Sequence, residues 1–318
     1  MQGKRVLVTG GSGFIGSHLI KRLLNEGASV AVMVRYGNIV KNERLQNTWE
    51  RLTVIEGDLR NRGALAAVAD YKPDYVFHLA AYNHVGESFR QVEECFDVNA
   101  KGSANLLDVC NEIHGISKFV YVSTSEVYGH QPGVPFVETM DPQPISPYAI
   151  TKYAGELYCR MKQRIDGSIP IVVVRPFNVF GPYQSSKAII PEIILKCLQG
   201  QTVDSTKGEQ TREFNFVENL VDGLLMAALH REKVDGPVNI GAGEEVAICD
   251  LIRTIARLTN TRSQINIGAL PYRPTEIWRM RAGCERAKSI WGWTPKVSLE
   301  EGLTRTIAWF QQHGHLKS

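Results

Sequence analysis

Tyr148 and Lys152 stand four residues apart in Ser146-Pro-Tyr-Ala-Ile-Thr-Lys152, at the start of a segment with helical spacing. Side chains four apart share one helix face. An ammonium near a phenol favours the phenolate, so the pair reads as a base for a hydroxyl proton. Far upstream, Gly10, Gly13, Phe14, Ile15 and Gly16 lie in a glycine loop that follows a short apolar run. Such glycines allow a tight turn and close backbone approach, and the N–H groups opening the next helix suit a pyrophosphate. Between the two motifs, Thr124 ends another apolar run, supplying a hydroxyl to orient a substrate, with Ser125 and the carboxylate of Glu126 after it. A Tyr-x-x-x-Lys spacing alone is commonplace on helix surfaces, and a glycine loop alone can be a plain turn. In this order in one chain they point to a nicotinamide dinucleotide bound beside a hydroxyl that is deprotonated.

Those side chains need a frame. Arg5–Thr9, Ser29–Val34, Leu52–Gly57, Tyr75–Ala80, Phe119–Ser123 and Ile171–Arg175 are short runs rich in Val and Ile. Helical patterns lie between them, at 17–26, 102–112 and 148–164. Near-continuous apolar strands alternating with helices predict an α/β fold, a doubly wound parallel sheet covered on both faces. The regularity fades after Gly181-Pro182, which predicts a smaller C-terminal α/β substrate lobe. The expected division is 1–180 for the dinucleotide-binding domain, with sheet elements returning near 212–240, and 181–318 mainly for the lobe.

Other positions refine the cofactor. An acid at the end of the second strand would accept hydrogen bonds from a free ribose 2′-hydroxyl, but the run ends Val34-Arg35-Tyr36. Arg35 could pair with a 2′-phosphate, which puts NADP ahead of NAD, or could be a solvated surface arginine. Asp58, before Leu59, could accept from an adenine amino group or cap a helix. Leu79, Ala80 and Ala81 are small enough at a strand end to let a cofactor lie close.

The chain has 318 residues, 43% hydrophobic and 22% charged, which is ordinary for a globular protein. A net charge of +3 is too small to argue for nucleic acid. No apolar stretch approaches the roughly 20 residues that span a membrane. Six scattered cysteines without a CxxC or metal spacing read as reduced thiols, with no metal site and a cytoplasmic setting.

With these motifs assembled, the chain resembles the extended short-chain dehydrogenases/reductases of the nucleotide-sugar epimerase/dehydratase group. The resemblance runs through nearly the whole length. It includes His78-Leu-Ala-Ala81, Asn99 before Lys101-Gly102, Ser123-Thr-Ser-Glu-Val-Tyr-Gly129, Arg175-Pro-Phe-Asn-Val-Phe-Gly-Pro182 and Trp291-Gly-Trp-Thr-Pro295. It implies a modified Rossmann domain, a nucleotide-diphosphate sugar as partner, and a homodimer through a helical bundle containing the Tyr148 helix. Asn99 is then expected near the cofactor. Asn178 resembles a residue that contacts the diphosphate, and Arg212 and Arg273 resemble diphosphate- and nucleotide-side arginines. His84 is expected near the sugar or the pocket wall.

The group shares an opening step in which the tyrosinate takes the sugar C4 hydroxyl proton while hydride leaves C4. The following chemistry depends on the residues beside Thr124. Epimerases resembling this chain usually carry small or neutral residues there, whereas Glu126 is a carboxylate able to take the C5 proton. That favours a 4,6-dehydratase, which loses water and returns hydride to C6. In thymidine-diphosphoglucose dehydratases the pair is typically Asp-Glu, the Asp being the acid for the leaving hydroxyl. Here Ser125 replaces it, so a serine relays the proton or Glu126 serves both steps. UDP-glucuronate decarboxylases also carry Thr-Ser-Glu, and 4-epimerases and 4-keto-sugar reductases stay open beside the dehydratase. From a different class, a non-catalytic NADP-binding sensor on the same fold often loses the Tyr-Lys pair, which is intact here.

Overall fold

The computed structural model describes residues 1–35, 43–165, 169–272 and 277–314. Its centre is a sheet of β1 (Arg5–Thr9), β2 (Ser29–Val34), β3 (Leu52–Glu56), β4 (Tyr75–His78), β5 (Lys118–Val122), β6 (Ile171–Pro176) and β7 (Pro237–Ile240). All seven strands are parallel, in the order β7-β6-β5-β4-β1-β2-β3. Alternate residues of one strand serve opposite faces. Val6 and Val8 pack with Leu19, Ile20 and Leu23 of α1 (Phe14–Asn25). Leu7 turns the other way, toward Leu106 of α2 (Gly102–Asn111) and Cys159 of α3 (Pro147–Ile165). Both faces are therefore buried, which is why these strands are apolar throughout rather than alternating. The fold expected from the sequence is the one found.

Chain order reverses between β1 and β4, and in such sheets ligands bind outside the carboxyl ends of the strands at that point. The sequence pattern starts the first helix at Ser17, but α1 begins at Phe14 with Gly13 as its cap. Its opening N–H groups thus lie directly over the end of β1.

The later chain adds α4 (Ile189–Leu198), α5 (Val217–Leu229), α6 (Ile248–Thr259) and α7 (Leu299–His313). Ile194, Leu251, Ile255, Leu303 and Phe310 form a separate apolar cluster there. The return to the main sheet comes only with β7, beside β6 with Val238 opposite Val174. Earlier strands pair elsewhere: Asn215–Phe216 with Val179–Phe180, and Thr211–Arg212 with Val246–Ala247. Among the described residues no helix is long and apolar enough to cross a membrane, and no group of three or more His, Cys, Asp or Glu could hold a metal ion.

Candidate active site

Gly10 directly follows β1 at φ +70°, and a Cβ there would meet the Ala80 amide nitrogen at 2.6 Å. A Cβ on Gly16 would meet the Gly10 carbonyl oxygen at 2.3 Å. Only glycine lets α1, β1 and the end of β4 approach this closely. Beneath the loop, Thr9 Oγ1 and His78 Nδ1 are 2.7 Å apart and His78 Nε2 lies 2.8 Å from Ser103 Oγ. Burial, with a smaller contribution from Lys152, lowers the His78 pKa to about 3, so the ring is a neutral spacer.

A cleft of two adjoining cavities opens over this loop. One, of about 510 Å³, is lined by Gly10, Gly13, Arg35, Asp58, Leu59, Ala80 and His84. The other, of about 320 Å³, is lined by Gly13, Phe14, Ile15, Gly16, Thr124, Ser125, Glu126, Tyr148, Lys152 and Asn178. Leu79 and Ala81 line both. The two motifs are therefore on one cleft, joined through the strand ends.

Tyr148 and Thr124 line the same cavity, and the Thr124 hydroxyl acts to lower the phenol pKa. Thr124 Oγ1 also accepts the Glu126 amide at 3.2 Å, capping the short turn Ser125–Tyr128 and fixing where Glu126 stands. Burial raises the Glu126 carboxyl above its ordinary range, opposed by the positive charge of Arg212. Arg212 is half-buried, and its Nη1 donates to the Thr211 carbonyl at 2.8 Å.

The expected lowering of the tyrosine pKa by its lysine is not what the geometry gives. Burial pushes Tyr148 up to about 12, opposed by the nearby Thr124 hydroxyl. The Lys152 ammonium lies 4.4 Å from the Tyr121 ring centre, is buried, and its Nζ has no hydrogen-bond partner. Burial lowers its pKa to about 8, with Glu156 opposing. An orphaned buried ammonium and a cradle that a Cβ would fill fit a dinucleotide with ribose hydroxyls and a pyrophosphate.

Other expected residues fall differently. Asp58 and Leu59 line the cleft, but the Asp58 carboxylate is held by Arg60 at 2.6 and 3.0 Å. Asn99 lies behind the wall rather than in it. It accepts the Tyr82 amide at 2.7 Å and donates to Thr151 Oγ1 at 3.1 Å, clamping the end of β4 to α3. His84 is exposed at the mouth, its ring 5.9 Å from that of Tyr82. Arg35 is exposed, 3.7 Å from Glu94. Arg273 lies outside the described residues.

Two features escaped the sequence reading. Met280 is buried in the floor, where its sulfur accepts from Asn178 Nδ2 at 3.6 Å and from Ser125 Oγ at 3.9 Å. A lone methionine in a loop carries no signal of this. Below Lys152, the buried Glu156 takes Arg175 Nε at 3.0 Å and Nη2 at 2.7 Å, and Ser123 as well. The Lys152/Glu156 spacing on one helix face was a usable hint.

Comparison with known proteins agrees with this geometry. Residues 6–241 match the model of the NAD dependent epimerase/dehydratase family. A dTDP-D-glucose 4,6-dehydratase of Homo sapiens is 32% identical, the match covering 98% of this chain and 91% of that one. A UDP-glucose 4-epimerase from Thermotoga maritima, solved with UDP-glucose, is 31% identical with a TM-score of 0.89, covering 97% of this chain and 99% of that one. A UDP-glucuronic acid 4-epimerase from Bacillus cereus, solved with UDP-glucuronic acid and NAD, is 29% identical with a TM-score of 0.86, at 97% and 99% coverage. Dehydratases and epimerases thus stand equally near. The chain belongs to the NAD-dependent epimerase/dehydratase family of nucleotide-sugar enzymes.

Proposed function

We propose that this chain is a nucleotide-sugar 4,6-dehydratase. The observation that carries the reading is the Glu126 carboxylate on the same cavity as Tyr148 and Thr124, its pKa raised by burial. An epimerase needs no proton acceptor there, whereas water loss across C5 and C6 does. A nicotinamide dinucleotide held over the glycine loop 10–16 would supply a hydride acceptor for the sugar C4 and a hydride donor for C6.

In this reading Tyr148 takes the C4 hydroxyl proton, with Thr124 on the same cavity orienting that hydroxyl. Lys152, whose buried ammonium has no hydrogen-bond partner, would hold the cofactor ribose. Glu126 removes the C5 proton, made acidic by the C4 ketone. Ser125 relays a proton to the departing C6 hydroxyl, or Glu126 hands over the one it has just gained. Asn178 and Arg212 bind the diphosphate side of the substrate, with Arg273 and His84 expected at its edges. Arg35 taken alone supports NADP as the cofactor, with NAD as the other form.

One observation favours a second reading. The charge of Arg212 acts on Glu126, and a guanidinium near it could hold a C6 carboxylate, which would make the reaction a decarboxylation. Mass spectrometry of products from a panel of nucleotide sugars separates the two. Loss of one water supports the dehydratase, loss of carbon dioxide the decarboxylase, and unchanged mass with a new stereoisomer an epimerase.

We also propose a homodimer. Ile150, Leu157, Met161 and Ile165 form an exposed apolar stripe on α3, and Phe89 and Phe96 are exposed on segments packed beside it. Sedimentation at micromolar concentration tests this. A reducing, cytoplasmic setting suits the six free cysteines.

A further inference from the structure

Where a dinucleotide fold commonly offers an acid to the adenosine ribose, at the end of β2, this chain has Arg35. The structure brings a carboxylate to the same part of the cleft from another element. Glu94, in the short segment Val92–Cys95, lines the cavity together with Arg35 and Asp58. Its Oε2 accepts from Arg60 Nη1 at 2.7 Å. Its Oε1 lies 3.7 Å from Arg35 Nη1, near enough for an ion pair and too far for a hydrogen bond. Arg60 is committed besides to Asp58, with Nη2 at 2.6 Å from Oδ2.

The charge at this end of the cleft is therefore already balanced. Two guanidinium groups face two carboxylates, and Glu94 Oε1 retains capacity for a hydroxyl donor. A ribose 2′-hydroxyl supplies one. A 2′-phosphate brings close to two negative charges at neutral pH and no lasting donor, and would share its space with Glu94.

We propose that Glu94 selects the unphosphorylated dinucleotide: its carboxylate accepts the ribose 2′-hydroxyl and, by occupying Arg35, excludes a 2′-phosphate. The proposal rests on the cleft being a dinucleotide site. It reverses what Arg35 alone suggests, because the acid missing from β2 in sequence is restored in space.

Calorimetric titration of the full-length protein with NADH and NADPH, without any sugar, tests it. The wild type should bind NADH at least about tenfold more tightly, the effect of a hydrogen bond to a charged group. Glu94→Gln should weaken NADH and strengthen NADPH, narrowing the preference at least about fivefold, with an unchanged melting temperature. Equal or tighter NADPH binding by the wild type would overturn the proposal without any variant being needed. So would an unaltered preference in a folded Glu94→Gln protein. A wrong assignment of the sugar reaction would leave these titrations untouched, whereas failure of both dinucleotides to bind would remove the premise itself.

Discussion

Thr124 Oγ1, just past β5, accepts the backbone amide of Glu126 at 3.2 Å, and both side chains line the cavity that Tyr148 of α3 also lines. The contact fixes where the candidate C5 base stands relative to the substrate-orienting hydroxyl. Disturbing Thr124 should therefore misplace Glu126.

Replacing Tyr148 by Phe removes the phenol and leaves the ring. Turnover should fall by a factor of about 10³ or more, the scale of a lost general base, while dinucleotide and sugar affinities change by less than about fivefold. Single-turnover kinetics with parallel binding titrations would check this.

Lys152 makes a stability–function trade. Its folded pKa, about 8, lies below the ordinary 10.5 because the ammonium is buried. Below pH 8 the lysine is charged in both folded and unfolded states, and the folded state carries the whole burial penalty. Between pH 8 and 10.5 the unfolded chain binds more protons, so stability rises with pH until the penalty is gone. Lys152→Met should therefore stabilise the dinucleotide-free protein by about 3 kcal/mol at pH 7, with the gain shrinking toward pH 10.5. Dinucleotide binding should be lost. Denaturant melts of both proteins across that pH range read the effect.

Ser125 donates to a thioether, a weak acceptor, and a serine is a poor acid. If departure of the C6 hydroxyl limits the rate, Ser125→Asp should raise dehydration at pH 6 by about tenfold and leave KM within about threefold. Steady-state kinetics on the sugar found in the product screen would measure it.

Gly10→Ala places a methyl group 2.6 Å from the Ala80 amide at a positive φ. The substitution should cost about 1–3 kcal/mol of stability and weaken dinucleotide binding at least about a hundredfold. Thermal melts and titration with NADH test both parts.

Much of this was legible in the chain itself. The sheet could be read because both of its faces are buried, which leaves β1, β2 and β5 apolar almost without interruption. The glycine loop could be read because crowding against Leu79 and Ala80 forbids any Cβ at Gly10. What stayed hidden depends on distant residues meeting in space. Met280 reaches Ser125 and Asn178 from a loop with no periodic pattern. Glu94 reaches Arg35 from a segment remote from β2. Asn99 joins Tyr82 to Thr151, a pairing that no spacing in the sequence reports. The pKa of Tyr148 was misread for the same reason, since helical spacing reports which face a lysine shares and says nothing of how deeply the phenol is buried.

The most direct test of the central claim is mass spectrometry of the products that wild type and Glu126→Gln make from the same panel of nucleotide sugars. The account predicts a wild-type product lighter by one water, and a variant that binds the dinucleotide normally yet forms that product at least about a hundredfold more slowly. A variant that loses water at the wild-type rate, or a wild type that changes only the stereochemistry of its substrate, would contradict it.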